Sequence, residues 1–448
     1  MRYIKVNFNS YLKMKKIIVF LAAGFVALVS CNKDNNPSTG QNPITISSPT
    51  PTEQITKVSL SDTQKGYVRS GNAMAFRFLK EIYNGENLVC SPLSLQYALA
   101  MTANGASGET LQEIIDFLGY GADGIEALNK YNRILLEQLP AVDLDVTLKV
   151  TDALLVNEKF PLLPAFKKTV EDYYYAAVDN LSFANPAQIA SRINDWTRSN
   201  TNGFIDKLLE PDEISADAVA YLMNALYFKA KWAGHDDSPM FREEGTIDDK
   251  FTLADGSTRT VRMMRHTRYH YYALMDGFKV LALPYANYKY YMYILLPDQN
   301  DLDGLLDKLQ TVSWSEIQSS FQNDAEVYVK LPKFDIENKF NLNDALQNLG
   351  VKRAFRDDHS AQFDHMFAPK EEEYWYWINK VIQKARITVA EWGTEAAAVT
   401  VVEMVGEGAP GPGEEPKRIH FYADHPFVFA IGESTSGTIL FEGVYAGK

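Results

Sequence analysis

The segment at residues 391–400, EWGTEAAAVT, constrains the fold more than any other part of this 448-residue chain. Side chains of an extended strand alternate between two faces, and from Thr394 to Met404 one face carries only threonine, alanine, valine and methionine. No proline interrupts residues 391–409, and a proline would remove a hydrogen bond from a central strand. The pattern therefore predicts a strand that can enter a closed sheet.

The chain that follows is of the opposite kind. Residues 408–416 read GAPGPGEEP, and prolines and glycines at this density are typical of a turn or loop. Because each proline lacks a backbone N–H, this stretch cannot form a central strand. The sequence thus separates an insertable segment from a non-insertable one.

Five segments of the chain resemble the serpin family. EWGTEAAAVT resembles the reactive-loop hinge of inhibitory serpins, and NLVCSPLSL resembles the family segment N-x-x-x-S-P-x-S. LMNALYFKAKW, LPKFDIENKFNLNDALQNLGV and DHPFVFAIGESTSGTILFEG resemble three further segments. Because the five matches occur in the family's order, the serpin-like domain is identified at residues 58–448.

The resemblance implies an α+β serpin fold with a large central mixed β-sheet, two further sheets and about eight or nine helices. It also implies an exposed reactive loop at about residues 391–420. Helical periodicity in SPLSLQYALAMTANG and strand alternation in RIHFYADHPFVFAIG agree with this mixed architecture. The 46% hydrophobic composition is that of a globular protein.

The resemblance also implies inhibition by a suicide-substrate mechanism. A serine or cysteine protease would attack the loop and form a covalent acyl-enzyme, and the cleaved loop would then enter the central sheet and trap the protease irreversibly. The chain would act as a monomer, without a cofactor. The implied hinge residues are Glu391, Gly393, Thr394, Glu395, Ala396, Ala397 and Ala398.

The alternative function is that of a non-inhibitory serpin-fold protein, acting as a surface binding module or a protease decoy. Non-inhibitory relatives carry bulky or charged residues where this chain has three alanines. The hinge composition therefore favours inhibition.

Further residues match family positions that control opening of the sheet. Lys333 and Glu391 match an ion pair near the top of the sheet, and Trp232 matches a tryptophan packed there. A polar cluster under the sheet centre matches at Ser91, Ser94, Asn224 and Gln383. Each of these residues could equally serve stability alone. Because many animal serpins have histidine where this chain has Gln383, pH-dependent opening does not follow from the resemblance.

Spacing from the hinge indicates the reactive bond. In the family the scissile residue lies about fourteen positions beyond the hinge glycine, which gives Glu407, followed by Gly408. Met404 and Val405 are alternatives for elastase-like or chymotrypsin-like enzymes. Cleavage at the basic pair 417–418 would leave three prolines in the strand that must insert, so it would release the protease.

The N-terminus predicts a bacterial lipoprotein. A basic MKK from Met14 precedes an apolar run at residues 17–29, which is too short to span a membrane and suits a signal peptide. Leu-Val-Ser-Cys, ending at Cys31, resembles a lipobox with a lipidated cysteine. We expect a signal peptide at residues 1–30, with Met14 as the better start, and a lipidated, flexible polar tether at residues 31–57.

These features predict a cell-envelope lipoprotein of the outer membrane, on its periplasmic or surface-exposed face. The lipid anchor would be the only membrane contact, and an ordinary cleaved signal peptide is the alternative. A net charge of −13 argues against a nucleic-acid partner. A heparin-type partner is equally unsupported.

Catalytic and metal-binding residues are not indicated. With Cys31 lipidated, Cys90 is the one remaining cysteine, so no intramolecular disulfide can form, and its apolar surroundings favour a core residue over a nucleophile. His266 and His270 are four residues apart, a spacing that aligns metal ligands only on a helix, whereas their surroundings indicate an exposed strand. Without a hydrolase, zincin or phosphate-loop motif, we expect no enzyme and no metal site.

Overall fold

The computed structural model describes residues 51–234, 239–368, 375–394 and 417–448. All of them belong to one compact unit, Ile44–Lys448. The α-helices of the described residues are α1 (Asp62–Ile82), α2 (Pro92–Ala103), α3 (Gly108–Leu118), α4 (Gly124–Gln138), α5 (Pro164–Tyr174), α6 (Pro186–Asn200), α7 (Leu302–Lys308), α8 (Trp314–Ser319) and α9 (Asn343–Asn348).

The strands of the described residues are β1 (Leu88–Cys90), β2 (Thr147–Asn157), β3 (Ala177–Leu181), β4 (Ala220–Lys231), β5 (Ile247–Thr252), β6 (Thr258–Tyr269), β7 (Tyr271–Met275), β8 (Phe278–Pro284), β9 (Tyr290–Pro297), β10 (Ala325–Pro332), β11 (Phe334–Asn341), β12 (Ile382–Ala390), β13 (Gly393–Thr394), β14 (Lys417–Tyr422), β15 (Phe427–Glu433) and β16 (Ile439–Tyr445).

These strands form three sheets within the described ranges. The first, here called the mixed sheet, has the order β11-β12-β13-β4-β2-β3. It is mixed because β2 and β3 run parallel whereas its other neighbours run antiparallel. The other sheets have the orders β1-β16-β15-β9-β8-β7 and β14-β10-β6-β5. Together with the nine described helices, they confirm the expected α+β serpin fold.

Helix α2 lies under the mixed sheet, packed against β2 and β4. Ser91 caps its N-terminus by accepting a hydrogen bond from the Ser94 backbone N–H at 3.1 Å, and Pro92 occupies the first helical position, which needs no backbone donor. Nearly all of its side chains are buried, as expected of a helix that is apolar on every side. The cap therefore holds two serine hydroxyls beneath the sheet.

Strand β12 has one buried face, directed towards the core. Gln383, Ala385, Ile387 and Val389 are buried, and the residues between them are partly exposed. This is the alternation expected of a strand with one face on the core. The face includes one polar residue, Gln383, which lies near the start of the strand.

Two parts of the predicted architecture lie outside the described residues. The predicted signal peptide and Cys31 fall within residues 1–50, and the chain between β13 and β14 spans residues 395–416. Within the described ranges, no helix combines the length and the apolar character that crossing a bilayer requires. Lipidation and the envelope location stay predictions.

Candidate functional site

The hinge begins inside the mixed sheet. After a turn at Glu391 and Trp392, Gly393 and Thr394 pair with the end of β12 on one side and with the end of β4 on the other. Thr394 is only 2% exposed. The predicted loop range of 391–420 therefore overlaps strand residues at both of its ends, because β14 begins at Lys417.

Gly393 occupies a position that other residues would not fit. Its φ is 145°, which side chains with a Cβ rarely adopt. An added Cβ would overlap the carbonyl oxygen of Ala230 on β4. The glycine lets the chain turn at the top of the sheet while keeping close contact with β4.

Aromatic side chains enclose the hinge threonine. The Tyr285 hydroxyl lies 2.5 Å from Thr394 Oγ1, and the Trp232 ring stacks on Tyr285 with centroids 4.5 Å apart. The Trp232 indole N–H donates to the carbonyl of Ala390 at 2.8 Å, and its backbone N–H donates to the carbonyl of Trp392 at 3.2 Å. Trp232 thus contacts both sides of the turn that begins the hinge.

An ion pair closes the same turn. Lys333 Nζ lies 2.7 Å from Glu391 Oε2, and the Glu391 side chain is 9% exposed whereas that of Lys333 is 38% exposed. Burial raises the pKa of the Glu391 carboxyl, but hydrogen bonds from Lys333 and Thr246 outweigh this and hold the pKa below its usual value. The carboxylate is therefore charged at neutral pH, and the pair stays intact.

Below the hinge, the two central strands are separated. Among the residues that the structure describes, strands β4 and β12 are neighbours only through β13. A cavity of about 150 Å³ is lined from the β4 side by Tyr221 and Asn224, from the β12 side by Ile382 and Gln383, and from α2 by Ser94. It lies in the direction in which β13 points, because β13 runs antiparallel to both strands.

A polar cluster spans this gap. The Gln383 amide accepts from the Ser91 N–H at 3.1 Å and donates to the Ser91 carbonyl at 2.9 Å. The Ser94 hydroxyl donates to Asn224 Oδ1 on β4, and the Ser91 hydroxyl donates to the carbonyl of Leu440 at 2.8 Å. The four residues assigned to a polar cluster by resemblance are thus brought together, joining β12 to β4 through α2.

Asp152 on β2 extends the cluster, and sequence reasoning missed it. Its Oδ1 accepts from Asn224 Nδ2 at 2.7 Å, it is fully buried, and its Oδ2 has no partner among the described residues. The phenols of Tyr97 and Tyr174 are its titratable neighbours. Burial raises its pKa to about 7, and the Asn224 hydrogen bond only partly opposes this. A lone acidic residue in the otherwise apolar run DALLV was the available signal.

The other chemically reactive side chains lie away from this gap. Cys90 is fully buried, burial raises the pKa of its thiol, and its Sγ lies 3.8 Å from Glu442 Oε1. His266 lies in β6 as expected, but the expected exposure is wrong for His270, which is 6% exposed. His270 is the single residue between β6 and β7, and its ring lies beside that of His266.

Comparisons with known proteins agree with this geometry. The model of the serpin (serine protease inhibitor) family matches residues 69–446. The chain belongs to the serpin family. An uncharacterized serpin-like protein of Thermococcus kodakarensis is 32% identical over 431 residues, which cover 95% of this chain and 96% of that protein. Most members of this family are protease inhibitors rather than enzymes.

Solved serpin structures share the fold. The thermophilic serpin Tengpin in its native state superposes with a TM-score of 0.75 at 28% identity, covering 88% of this chain and 96% of that one. Cleaved Serpin 42Da superposes with a TM-score of 0.74 at 26% identity, covering 86% of this chain and 99% of that one. The chain thus matches serpins in both a native and a cleaved state.

Replacing Asp152 with Asn should reduce the pH dependence of stability. A carboxyl whose pKa is about 7 in the fold and about 3.9 when unfolded stabilises the fold while protonated, and this contribution is lost as pH rises through 7. The lost free energy is on the order of 4 kcal/mol. Urea unfolding at several values between pH 5 and pH 8 measures the slope.

The control for this test is Glu442→Gln. Glu442 is the other fully buried carboxyl that shares this behaviour, since burial raises its pKa to about 8, but it lies in β16, outside the mixed sheet. Each variant should remove only its own share of the slope below pH 7, because the other carboxyl still titrates there. Between pH 7 and pH 8 the remaining loss of stability should persist in the Asp152 variant and shrink in the Glu442 variant. Equal slopes in the Asp152 variant and the unmodified chain would contradict the assignment.

Proposed function

We propose that this chain is an irreversible suicide-substrate inhibitor of serine or cysteine endopeptidases, acting through insertion of the chain after Thr394 into the mixed sheet. The observation that carries the proposal is the position of β13. The hinge already fills the top of a space between β4 and β12, and the cavity below it is open to the same two strands.

The register supports insertion along the whole gap. Thr394 pairs with Val389 on β12 and with Ala230 on β4. If both registers continue, Thr400 comes opposite Gln383 on one side and opposite Asn224 on the other. Both registers therefore place Thr400 beside the cavity. Its hydroxyl would then reach the side-chain amides of Gln383 and Asn224, which line the cavity.

The alternating pattern fits this register. The buried β12 residues Ile387 and Ala385 would come opposite Ala396 and Ala398, and the β4 residues opposite these alanines would be Phe228 and Leu226. Small side chains suit positions between large ones in a close-packed interior. Bulky side chains there would have to force the strands further apart.

The same register limits the inserted length. Strand β4 begins at Ala220, which would pair with Met404. The reactive bond must lie beyond the inserted residues, so this end point disfavours Met404. Val405 and Glu407 both lie beyond it, and the spacing from Gly393 favours Glu407.

The rival cleavage site is part of a strand. Lys417 and Arg418 belong to β14, which pairs in parallel with β10, and Lys417 Nζ lies 3.1 Å from Asp324 Oδ2. A protease needs an extended, accessible segment, and a paired strand presents one less readily. The proposal therefore keeps the reactive bond at Glu407–Gly408.

Insertion would be strongly favourable. About twelve new ladder hydrogen bonds at a net ~1 kcal/mol each lower the free energy by more than about 10 kcal/mol. Burial of the alanine and threonine face adds to this. A step of that size is irreversible on the time scale of protease inhibition.

Replacing Thr394 with Arg should convert the inhibitor into a substrate. The threonine is buried against Tyr285, and an unpaired guanidinium there would be costly, so the hinge would leave the sheet. Incubation with a glutamate-specific serine protease, followed by denaturing electrophoresis, measures covalent complex against cleaved product. We expect the complex to fall at least tenfold.

The matched control is Glu395→Arg, because alternation assigns the next residue to the opposite face. This variant should retain the covalent complex. Full trapping by the Thr394 variant would contradict insertion, and cleavage without any complex in the unmodified chain, across serine and cysteine proteases, would favour the decoy or binding-module function.

Mass spectrometry of the released C-terminal fragment should locate the bond. We expect the fragment from a trapped protease to begin at Gly408. Any trypsin-like enzyme that does cut after Arg418 should not be trapped. A fragment that begins at Ile419 from a trapped protease would contradict the site. Lipidation at Cys31, and thus action at the outer membrane, is part of the same proposal and rests on the sequence alone.

A further inference from the structure

Two tryptophans lie exposed where the chain runs into strand β12. Trp375 is 42% exposed and Trp377 is 45% exposed, and the His359 ring stacks on that of Trp375 with the two planes at 14°. Tyr376 and Ile378, which alternate with them along the chain, pack against the core instead. Trp375 and Trp377 therefore form one outward-facing apolar surface, here called the tryptophan surface.

This exposure is unusual for tryptophan. The side chain is large and apolar and is largely buried in most proteins, as Trp196, Trp232 and Trp314 are here. Neighbouring exposed apolar side chains mark interaction sites, and tryptophan is enriched among the residues that carry binding energy at protein interfaces. The tryptophan surface therefore suits a protein partner.

The tryptophan surface lies at the lower end of the gap between β4 and β12. The cavity in that gap is lined by Trp377 on the β12 side and by Ala218 on the β4 side. The hinge at Thr394 lies at the upper end of the same two strands. The surface and the hinge thus lie at opposite ends of the gap.

Two separate registers place the reactive bond beside this surface after insertion. Continued past the start of β12, the register between β13 and β12 brings Gly406 opposite Trp377. Continued past the start of β4, the register between β13 and β4 brings the same glycine opposite Ala218. Both of these residues line the cavity, so Glu407, the next residue, would leave the sheet beside the tryptophans.

We propose that Trp375 and Trp377 are the docking surface for the protease once insertion has carried it to the lower end of the mixed sheet. This inference rests on the proposed function. There, the protease hydroxyl or thiol bonds to the carbonyl carbon of Glu407 while the peptide bond to Gly408 breaks, and the proton of the nucleophile goes to the released amine. The protease thus stays joined to Glu407.

The acyl bond decides which part of the protease meets the tryptophans. It keeps the substrate cleft of the protease within a few residues of Glu407, and binding clefts are lined mainly by apolar groups. The two indole rings would pack on the rim of this cleft and hold the protease in one orientation. A protease that can reorient freely would recover the geometry for hydrolysing the acyl bond more often.

Docking on the tryptophan surface follows insertion, because the reactive bond reaches this end only when residues 395–406 have entered the sheet. Loss of the two rings should therefore leave the rate of trapping and the fraction of protease trapped unchanged. The trapped protease should regain activity sooner, since it is held less firmly.

Oxidative footprinting of the full chain tests the contact. Hydroxyl-radical oxidation, measured by mass spectrometry, compares the covalent complex with a glutamate-specific serine protease and the chain cleaved in residues 395–416 but free of protease. We expect Trp375 and Trp377 to be oxidised several-fold less in the complex. Tyr288, which is exposed between β8 and β9, is the internal control and should react equally in both samples.

A double variant, Trp375→Ala with Trp377→Ala, supplies the kinetic test. We expect it to trap the protease as the unmodified chain does and to release active protease about tenfold faster. The matched control is Tyr288→Asn, which removes an exposed ring near the hinge end. Asparagine tolerates the positive φ of 62° at this position, so the control should release protease at the unmodified rate. Circular dichroism checks that each variant is folded.

Equal oxidation of both tryptophans in the complex and in the cleaved chain would overturn the docking surface. So would an unchanged release rate, or a loss of trapping, in the folded double variant. A dimer of the intact chain that the double variant abolishes would assign the rings to a second copy instead. In each case the unmodified chain still forms its covalent complex, whereas absence of that complex would refute the proposed function and the docking surface with it.

Discussion

Backbone N–H and C=O groups along the facing edges of β4 and β12 need hydrogen-bond partners. Among the described residues, β13 supplies partners only at the upper ends of these strands. The hinge pairs with Val389 and Ala390 on one side and with Ala230 and Lys231 on the other. Below it, no strand of the described residues pairs with these two edges. In the proposed function, the chain beyond Thr394, which has the matching composition, would complete the ladder.

Two sets of interactions hold this unfinished sheet together. At the top, the Lys333–Glu391 pair and the Trp232 hydrogen bond fix the turn that starts the hinge. At the centre, the polar cluster links β12 to β4 through Ser91 and Ser94 of the α2 N-terminus. The cluster is made of polar side chains in a buried place, where each hydrogen bond is costly to leave unmade. It therefore helps to fix how far apart the two strands lie.

Much of the fold and of the hinge could be predicted from the sequence. The alternation of side-chain type from Thr394 to Met404 can be read from neighbouring residues alone. The order of the segments that resemble serpins indicated the architecture and the family. The pairing of Lys333 with Glu391 and the polar cluster around Gln383 also lie where the resemblance indicated. The fold and the family were confirmed because they depend on strand periodicity and on short matching segments, whereas the insertion of residues 395–404 and the control of sheet opening by these side chains stay predictions.

The remaining features depend on contacts between distant parts of the chain. Asp152 looks like one acidic residue in a strand, and only the packing of β2 against Asn224, Tyr97 and Tyr174 makes it a buried carboxyl with a raised pKa. His270 follows a strand that the sequence indicates to be exposed, yet it is buried beside His266. Periodicity describes one strand at a time, so it cannot report what a turn or a neighbouring strand adds.

In the proposed mechanism, residues 395–404 enter the mixed sheet only after the loop is cleaved. Differential scanning calorimetry of the intact protein and of the protein cleaved in residues 395–416 measures the resulting gain in stability. Cleavage should raise the melting temperature by about 10 °C or more, since more than about 10 kcal/mol of strand pairing becomes available. Equal melting temperatures before and after cleavage would contradict it.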